Sequence, residues 1–228
     1  MKAMVLLSGG VDSTTLLAMA VEEYGRENVM ALSMSYGQKH QRELWSAEQI
    51  AGHYGVEKRD LNLAEIFCHS NSSLLAHSEE SIPRGSYGEQ KGSAADGLVS
   101  TYVPFRNGLF LAAAASVALG SGCGVLCYGA HHDDVAVAAY PDCSAAFVEA
   151  MDRAIFEGSG GQLRVMAPFV EWDKAQIVKK GLELGVPYEL TWSCYEGGET
   201  PCGHCGTCKD RQKAFELNGV KDPLLIGG

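Results

Sequence analysis

Close to the start of the chain, a glycine pair lies between a predicted strand and a predicted helix. The apolar run at residues 4–7 has the pattern of a buried strand, and residues 14–24 carry apolar side chains at helical spacing. Between them stands the sequence Ser-Gly-Gly-Val-Asp-Ser at positions 8–13. Such a junction presents backbone N–H groups at the positive end of the helix dipole, and glycine lets the backbone approach an anion closely. The sequence therefore predicts a phosphate site at this loop.

Two common phosphate-binding loops do not fit these residues. The loop contains no lysine, so it is not a Walker A loop, which needs Gly-Lys-Ser or Gly-Lys-Thr. It also lacks the Gly-x-Gly-x-x-Gly spacing of a dinucleotide-binding fold. The alternative without any ligand is a plain turn in which Ser13 caps the helix.

Predicted strands and helices alternate along the rest of the chain. The predicted strands are residues 4–7, 29–36, 56–63, 125–128 and 164–167, and the predicted helices are residues 14–24, 38–54, 107–119, 145–156 and 174–184. This alternation predicts an α/β fold with a doubly wound, mostly parallel sheet and flanking helices. Ligands of such sheets bind beyond the carboxyl ends of the strands, so functional residues are expected just after each strand.

The chain is expected to contain one main domain with additions, because 228 residues can bury a full core. Residues 1–190 are expected to form a nucleotide-binding α/β domain. Within it, residues 64–101 are rich in Ser, Gly and Glu and form a long insertion, either a lid or a mobile surface segment. Residues 191–228 are expected to form a metal-binding extension.

Charge and hydropathy exclude several classes of partner. The net charge of −10, without any block rich in Lys and Arg, disfavours binding to nucleic acid. Apolar runs are too short to span a membrane. Because Met1 and Lys2 lead directly into the first predicted strand, no signal peptide is expected, and the chain is predicted to be cytoplasmic.

Four cysteines are clustered towards the end of the chain, at positions 194, 202, 205 and 208. The last three, Cys202, Cys205 and Cys208, form a C-x2-C-x2-C run. Together with Cys194 they suit one structural Zn²⁺ per chain, because four protein ligands leave no open coordination position. An iron–sulfur cluster is the alternative centre, and His204 is an alternative ligand.

Four further stretches contain candidate functional residues. Arg106, in the sequence Val-Pro-Phe-Arg-Asn at positions 103–107, could clamp phosphate or carboxylate. Lys174 begins a predicted helix, where its charge opposes the dipole, so neutralisation of phosphate is the expected reason for its position. Two histidines and two aspartates at positions 131–134 could bind a metal or transfer protons, and the turn Tyr-Pro-Asp-Cys follows at 140–143.

Taken together, these stretches resemble the 7-cyano-7-deazaguanine synthase family. That family belongs to the PP-loop ATP pyrophosphatase superfamily, whose fold is of the adenine nucleotide alpha-hydrolase-like type. The resemblance covers nearly the whole chain in order. It is carried by the loop at 8–13, Tyr-Gly-Gln at 36–38, Val-Pro-Phe-Arg-Asn at 103–107, the loop at 129–143, Trp-Ser-Cys-Tyr at 192–195 and the three following cysteines.

The resemblance implies a ligase that forms C–N bonds in queuosine biosynthesis. Its substrates would be 7-carboxy-7-deazaguanine, ammonia and ATP, and the implied enzyme is a homodimer. ATP would adenylate the carboxylate, pyrophosphate would leave, and ammonia would give an amide. A second ATP would adenylate the amide oxygen, and loss of AMP would leave the nitrile.

The resemblance also implies a role for individual residues. Catalysis is assigned to Asp12, Ser13, Arg106 and Lys174, with Mg²⁺ near Asp12. ATP would bind to Ser8, Gly9, Gly10, Val11, Asp12, Ser13 and Thr14, with Ser35 near the adenine. The deazaguanine would contact Asp133, Tyr140, Asp142 and Cys143. Cys143 as a covalent nucleophile is an alternative that the chemistry does not require, because an adenylate is already activated.

Three other functions are alternatives to this one. An RNA-modifying sulfurtransferase of the same superfamily would need an RNA-binding surface and a thiolate that carries sulfur. A glutamine-fed amide synthetase would need a glutaminase region, so free ammonia is the expected nitrogen donor. The alternative from another class is a non-enzymatic nucleotide-binding or zinc-stabilised interaction module.

Overall fold

A single parallel sheet forms the centre of the protein. The computed structural model describes residues 1–84, 99–131 and 140–225. Its strands stand in the order β3-β2-β1-β4-β5, and all four pairings between neighbours are parallel. The strands are β1 Lys2–Leu6, β2 Val29–Ser35, β3 Glu57–Asn62, β4 Cys123–Cys127 and β5 Arg164–Met166. The predicted doubly wound α/β fold is therefore confirmed.

Six α-helices surround the sheet in the part of the chain that the structure describes. They are α1 Val11–Tyr24, α2 Arg42–Tyr54, α3 Arg106–Gly120, α4 Ala145–Gly158, α5 Lys174–Glu183 and α6 Gly206–Leu217. The first five were predicted with small differences at their ends, whereas α6 was not predicted. Helix α1 begins at Val11, with Gly10 at the N-cap, so the alternative in which Ser13 caps this helix is wrong.

Alternate side chains of β1 supply the two apolar layers. Met4 points to one face, where it packs with residues of α3 and α4 such as Leu111. Ala3 and Val5 point to the other face, which α1, α2 and α5 cover. All three strand residues are fully buried, as expected for the central strand of a sheet covered on both sides.

The strand order places a ligand crevice at one point of the sheet. Strands β1, β2 and β3 follow one another outward on one side, and the chain then returns to place β4 on the other side of β1. The connections that leave β1 and β4 at their carboxyl ends therefore diverge, and such a divergence opens a crevice. The loop at residues 8–13 lies at this crevice because it directly follows β1.

The described part of the segment at 64–101 is packed against the main domain. Leu75 is fully buried and lies in an apolar cluster with Tyr36, Phe67 and Val103. The backbone N–H of Ser73 donates to the carbonyl of Ser100 at 2.9 Å. Residues 85–98 lie outside the described residues. Among the helices formed by the described residues, none combines the length and apolar character needed to cross a membrane.

A glycine sets the distance between α1 and α5. A Cβ added at Gly181 would collide with the hydroxyl of Tyr188 and would lie 2.9 Å from Oγ1 of Thr15. Tyr188 is 1% exposed, and its hydroxyl already shares a 2.8 Å hydrogen bond with Thr15, so neither side chain can move away easily. This contact explains why α5 carries a glycine in its interior.

We expect Gly181→Ala to lower the free energy of unfolding by about 1–2 kcal/mol, because overpacking outweighs the gain in helix propensity. Urea denaturation followed by tryptophan fluorescence would measure the change. Gly158→Ala is the matched control, since Gly158 ends α4 and an added Cβ there meets nothing within 4 Å. A stability of Gly181→Ala equal to that of Gly158→Ala would contradict the packing argument.

Candidate functional site

A cavity of about 280 Å³ opens at the crevice beyond β1 and β4. Residues from several separate parts of the chain line it, including residues of α2, α3 and α6. Nine residues that the sequence assigned to the site line this cavity: Ser8, Gly10, Val11, Asp12, Ser13, Arg106, Tyr140, Cys143 and Lys174. The tertiary structure thus brings together motifs that are more than 160 positions apart in the sequence.

Hydroxyl groups hold the loop at residues 8–13 in a folded shape. The Ser8 and Ser13 hydroxyls share a hydrogen bond at 3.0 Å, and the backbone N–H of Ser8 donates to Oγ of Ser13 at 3.2 Å. Thr14 donates its hydroxyl to the carbonyl of Gly10 at 2.7 Å. The loop is therefore ordered by its own side chains, at the N-terminus of α1 where an anion is stabilised.

Gly9 is confined both by its backbone angle and by its neighbours. Its φ is +87°, a conformation that glycine adopts without strain. A Cβ at this position would collide with the carbonyl oxygen of Glu43 and would lie 2.8 Å from the backbone nitrogen of Ala47. The loop thus packs directly against the backbone of α2, and only glycine allows this approach.

Asp12, Lys174 and His131 form an electrostatic group beside the loop. Nζ of Lys174 lies 2.5 Å from Oδ2 of Asp12, and Nε2 of His131 lies 3.7 Å from the same oxygen. Burial opposes ionisation of Asp12, but attraction to Lys174 and His131 outweighs it, so the pKa of Asp12 lies below its ordinary value. Asp12 is therefore an ionised carboxylate at neutral pH.

A capping box explains how a lysine is tolerated at the start of α5. The Asp173 side chain accepts from the backbone N–H of Gln176 at 2.7 Å, and the Gln176 side chain accepts from the backbone N–H of Asp173 at 2.9 Å. These bonds fix the first turn of the helix. Lys174 stands at the first helical position, from which its ammonium group reaches into the cavity.

Arg106 enters the cavity from an unusual backbone turn. The preceding residue, Phe105, has a φ of +54°, and it is the one residue other than glycine with positive φ in the described ranges. Helix α3 begins immediately after it, and the Arg106 guanidinium lies over the ring of Tyr36, 4.9 Å from its centroid. An adjacent cation–π contact at 5.9 Å is made with Phe110. The guanidinium is thus positioned by aromatic rings.

The Tyr-Pro-Asp-Cys turn packs onto the start of α3. Oδ2 of Asp142 accepts from the backbone N–H of Asn107 at 2.9 Å, and the Asn107 side chain lies 3.3 Å from Sγ of Cys143. The hydroxyl of Tyr140 shares a 2.7 Å hydrogen bond with Thr101. Tyr140 and Cys143 consequently form one wall of the cavity, whereas the Asp142 side chain stabilises the N-terminus of α3.

Several predicted residues lie outside this lining. Within the described ranges, Gly9, Thr14, Ser35 and Asp142 are not among the residues that line the cavity. Gly9 packs against α2, the Thr14 hydroxyl bonds to the carbonyl of Gly10, and Ser35 ends β2. Asp133 lies outside the described residues.

Sequence reasoning assigned no role to a group of residues that line the cavity from α2, α6 and the segments that precede these two helices. They are Gln38, Glu43, Leu44, Trp192, Ser193, Tyr195, Thr207, Asp210 and Arg211. Gln38 and Glu43 follow a predicted strand, which was a signal for a functional position. The residues on α6 gave no comparable signal, because that helix was not predicted.

Glu43 has a distinctive electrostatic environment. Burial raises the pKa of its carboxyl to about 7, and the attraction of Arg106 lowers it only in part. Tyr36 faces the same space, and burial raises its pKa to about 12. A carboxyl group that titrates near neutral pH inside a cavity is suited to proton transfer.

The four cysteines predicted to bind a metal form one compact group. The Sγ atoms of Cys194, Cys202, Cys205 and Cys208 all lie within 4.8 Å of one another. A tetrahedral zinc with Zn–S bonds of about 2.3 Å would place them about 3.8 Å apart, and Cys202 and Cys208 are separated by 4.0 Å. The group could therefore hold a metal ion, and its size and ligand type are compatible with zinc.

Hydrogen bonds around the sulfurs agree with this arrangement. Backbone N–H groups of Glu196 and Cys202 donate to Sγ of Cys194 at 3.4 and 3.3 Å, and the N–H of Cys205 donates to Sγ of Cys202 at 3.4 Å. Hydrogen bonds from Cys194 and Cys208 hold the pKa of Cys205 below its usual range. His204 instead bonds to the carbonyl of Cys202 at 2.8 Å and stands outside the group of sulfurs.

Trp192 connects the cysteine group to the loop at residues 8–13. Its backbone N–H donates to the carbonyl of Gly9 at 2.8 Å. Its indole N–H donates to the carbonyl of Cys194, also at 2.8 Å, and the side chain is 2% exposed. Trp192 therefore links the cysteine group to the loop through two hydrogen bonds.

Comparisons with known proteins agree on one family. The family model for the queuosine biosynthesis protein QueC matches residues 2–219. A protein of Archaeoglobus fulgidus named 7-cyano-7-deazaguanine synthase is 45% identical over 99% of this chain and 90% of its own. A protein of Caldicellulosiruptor bescii with the same name is 42% identical, over 98% of this chain and 96% of its own.

A solved structure supports the fold assignment. The structure of NMN synthetase from Francisella tularensis matches 96% of this chain and 78% of its own chain with a TM-score of 0.50. The sequence identity is 12%, so this similarity concerns the fold alone.

The ion pair at Asp12 predicts the effect of removing its lysine. Because the pKa of Asp12 is lower in the folded than in the unfolded chain, its ionised form stabilises the fold above its ordinary pKa. That stabilisation is lost as the pH falls through the folded-state pKa. We expect Asp12 to take up its proton at higher pH in Lys174→Met, and ¹³C NMR titration of the carboxyl group would measure this.

That titration is best made without ATP or Mg²⁺, so that only protein charges act on Asp12. Lys180→Met is the control, because Lys180 lies on the same helix but is 4.0 Å from the exposed Glu22. Unchanged titration of Asp12 in Lys174→Met would contradict the electrostatic assignment.

The cysteine group predicts a large effect on folding. Cys205 is fully buried, and a bound metal ion contributes its binding energy to the folded state. We expect Cys205→Ser to lose roughly 3 kcal/mol or more of stability, which corresponds to about 10 °C in melting temperature. Calorimetry together with metal analysis would measure both effects. Cys68→Ser, at an exposed cysteine, is expected to stay within about 0.5 kcal/mol of the parent protein, and equal stability of both variants would refute the structural role.

Proposed function

Since the chain belongs to the queuosine biosynthesis protein QueC family, we propose that it converts 7-carboxy-7-deazaguanine, ammonia and ATP to 7-cyano-7-deazaguanine. The observation that carries this proposal is the match to 7-cyano-7-deazaguanine synthases over nearly the whole of both chains. The enzyme is a ligase that forms a C–N bond. The cavity supports the assignment, because it joins a phosphate-binding loop to a wall that could accept a flat heterocycle.

The first half of the reaction activates the carboxylate. A carboxylate oxygen of the substrate attacks the α-phosphorus of ATP, and pyrophosphate leaves. The loop at residues 8–13 holds the departing pyrophosphate with backbone N–H groups and the hydroxyls of Ser8 and Ser13. Lys174 and Arg106 neutralise the charge that develops on the phosphates, since both are cations that face the cavity.

The second half builds the nitrile. Ammonia attacks the carbonyl carbon of the adenylate, AMP leaves, and an amide forms. The amide oxygen then attacks the α-phosphorus of a second ATP, and the loss of AMP leaves the C≡N bond. One set of phosphate contacts can serve both activations, because each is an attack by oxygen on the same phosphorus of ATP.

Asp12 is the proposed contact for the magnesium of MgATP. Its Oδ1 atom is buried and forms no hydrogen bond with the described residues, whereas Oδ2 is held by Lys174. A carboxylate oxygen of this kind suits a hard cation such as Mg²⁺. Bound there, Mg²⁺ would supply charge neutralisation at the phosphates.

Cys194, Cys202, Cys205 and Cys208 are proposed to hold one structural Zn²⁺ per chain. Four thiolates complete a tetrahedral site, so no position remains for substrate. The contact of Trp192 with Gly9 supports a role in holding the extension against the nucleotide loop.

The remaining contacts are proposed from the family resemblance. Tyr140 and Cys143 would face the deazaguanine, Asp133 would recognise its N–H edge, and Ser35 would lie near the adenine. Asp142 would act on the substrate indirectly, by holding Tyr140 and Cys143 against the start of α3. Small molecules are thus the proposed substrates, without nucleic acid, and the chain is proposed to form a homodimer.

A product assay tests the proposed function directly. Purified protein with 7-carboxy-7-deazaguanine, ammonium and MgATP is expected to release two AMP and two pyrophosphate for each nitrile, detected by mass spectrometry. Omission of ammonium should abolish the nitrile. Release of AMP that depends on RNA and not on the small carboxylate would overturn the proposal and favour an RNA-modifying relative.

A further inference from the structure

Glu43 is a carboxylate in the cavity that the steps above leave without a task. It lies in the first turn of α2, and its own carbonyl oxygen contacts Gly9 of the phosphate loop. The side chain lines the same cavity as Asp12, Arg106 and Lys174. Glu43 therefore stands beside the place where the phosphates of ATP are expected and where the reacting carbon must also come.

The proposed chemistry requires a proton acceptor near the nitrogen. An ammonium ion carries four protons and a nitrile nitrogen carries none, so all four must leave during the two halves of the reaction. The backbone N–H groups of the loop and the two cations of the site cannot accept them, because these groups are hydrogen-bond donors. A carboxylate close to the reacting carbon is the kind of group that this step needs.

Three carboxylates line the cavity, Asp12, Glu43 and Asp210. The two beside the loop, Asp12 and Glu43, differ in their suitability for this task. Asp12 is held as an anion by Lys174 at 2.5 Å, which makes it a weak base. Glu43 forms neither a hydrogen bond nor an ion pair of its side chain with another described residue. Two ionisable groups face it, the guanidinium of Arg106 from α3 and the phenol of Tyr36 from the end of β2. At neutral pH, Glu43 is therefore closer than Asp12 to equal populations of its charged and neutral forms. Acid–base catalysis requires such a balance.

We propose that Glu43 is the catalytic base that removes protons from the nitrogen as ammonia becomes an amide and as the amide becomes a nitrile. This assignment rests on the proposed function. In the first half, Glu43 takes one proton from ammonium, the nitrogen lone pair forms the C–N bond, and the C–O bond breaks with its electrons going to AMP. The nitrogen of the newly formed C–N bond then loses a second proton, which leaves the neutral amide.

The second half removes the last two protons. After the amide oxygen is adenylated, the nitrogen loses one proton to give a neutral imidate. When the nitrogen loses its final proton, the electrons of that N–H bond complete the triple bond between carbon and nitrogen. The C–O bond to AMP breaks in the same step. Between these steps Glu43 passes each proton to solvent through the open cavity, so the carboxylate is restored each time.

Glu43→Gln separates this role from nucleotide binding. Exchange of labelled pyrophosphate into ATP, dependent on 7-carboxy-7-deazaguanine and without ammonia, measures only the first adenylation. We expect this exchange to stay within about twofold of the parent protein. Formation of amide and nitrile should fall by about 10²-fold or more, with an unchanged KM for the carboxylate substrate, because only the base is lost. The retained exchange also shows that the variant is folded.

Two matched variants complete the comparison. Glu48→Gln lies on the same helix, and its carboxylate is exposed and pairs with Lys58 at 3.2 Å, so all its rates should equal those of the parent. Glu43→Asp keeps a carboxylate that is shorter by one methylene, and it should restore part of the rate. Equal activity of Glu43→Asp and Glu43→Gln would contradict the assignment.

A pH profile measured with the amide intermediate tests the same role. Ammonium is not needed in this reaction, so its own titration does not affect the profile. With the amide intermediate as substrate, nitrile formation by the parent protein should fall below about pH 7, since the base must be ionised to accept a proton. This limb should be absent in Glu43→Gln. Two results would show that Glu43 recognises the substrate and is not the base. One is an acidic limb that persists unchanged in Glu43→Gln, and the other is a variant that is impaired only in substrate KM and in pyrophosphate exchange. If the parent protein itself shows no exchange with the carboxylate, the proposed function fails and not merely the role of Glu43.

Discussion

The close approach of α2 to Gly9 is the constraint on which the site depends. Glycine at this position allows the loop to lie directly on the backbone of Glu43 and Ala47. On its other side, the carbonyl of Gly9 accepts a hydrogen bond from Trp192. The loop is thus held between the sheet domain and the cysteine-containing extension, and both contribute side chains to one cavity.

The electrostatics of the cavity differ from those of the whole chain. The protein carries a net charge of −10, yet Arg106, Lys174 and Arg211 all face the cavity. Different contacts position each cation. Aromatic rings surround Arg106, a capping box fixes the helix start at Lys174, and Arg211 forms an ion pair with Asp222. Three carboxylates, Asp12, Glu43 and Asp210, line the same cavity. Cationic and acidic side chains are thus equal in number there, whereas the whole chain has an excess of ten negative charges.

Most of the fold was predictable because strand and helix patterns are local. The five strands and the first five helices follow from hydrophobic periodicity, with ends displaced by a few residues. Helix α6 was missed because its buried residues, such as Arg211 and Phe215, do not form an apolar stripe. The buried Arg211 is satisfied by contacts that are distant in sequence, with Asp222 and the carbonyl of Tyr188. Among the site residues, those in recognisable motifs were found, whereas Glu43 and Asp210 were not.

The sequence by itself determined the parallel α/β sheet, the glycine-containing loop between the first strand and its helix, and the grouping of the four cysteines, because each depends on short-range pattern and spacing. Only the tertiary structure decided which side chains share the cavity. It directed Asp142 to the start of α3, and it placed Glu43 in an environment that raises its pKa. Burial and the distance between charges decide such properties, and both arise only when segments far apart in the sequence pack together.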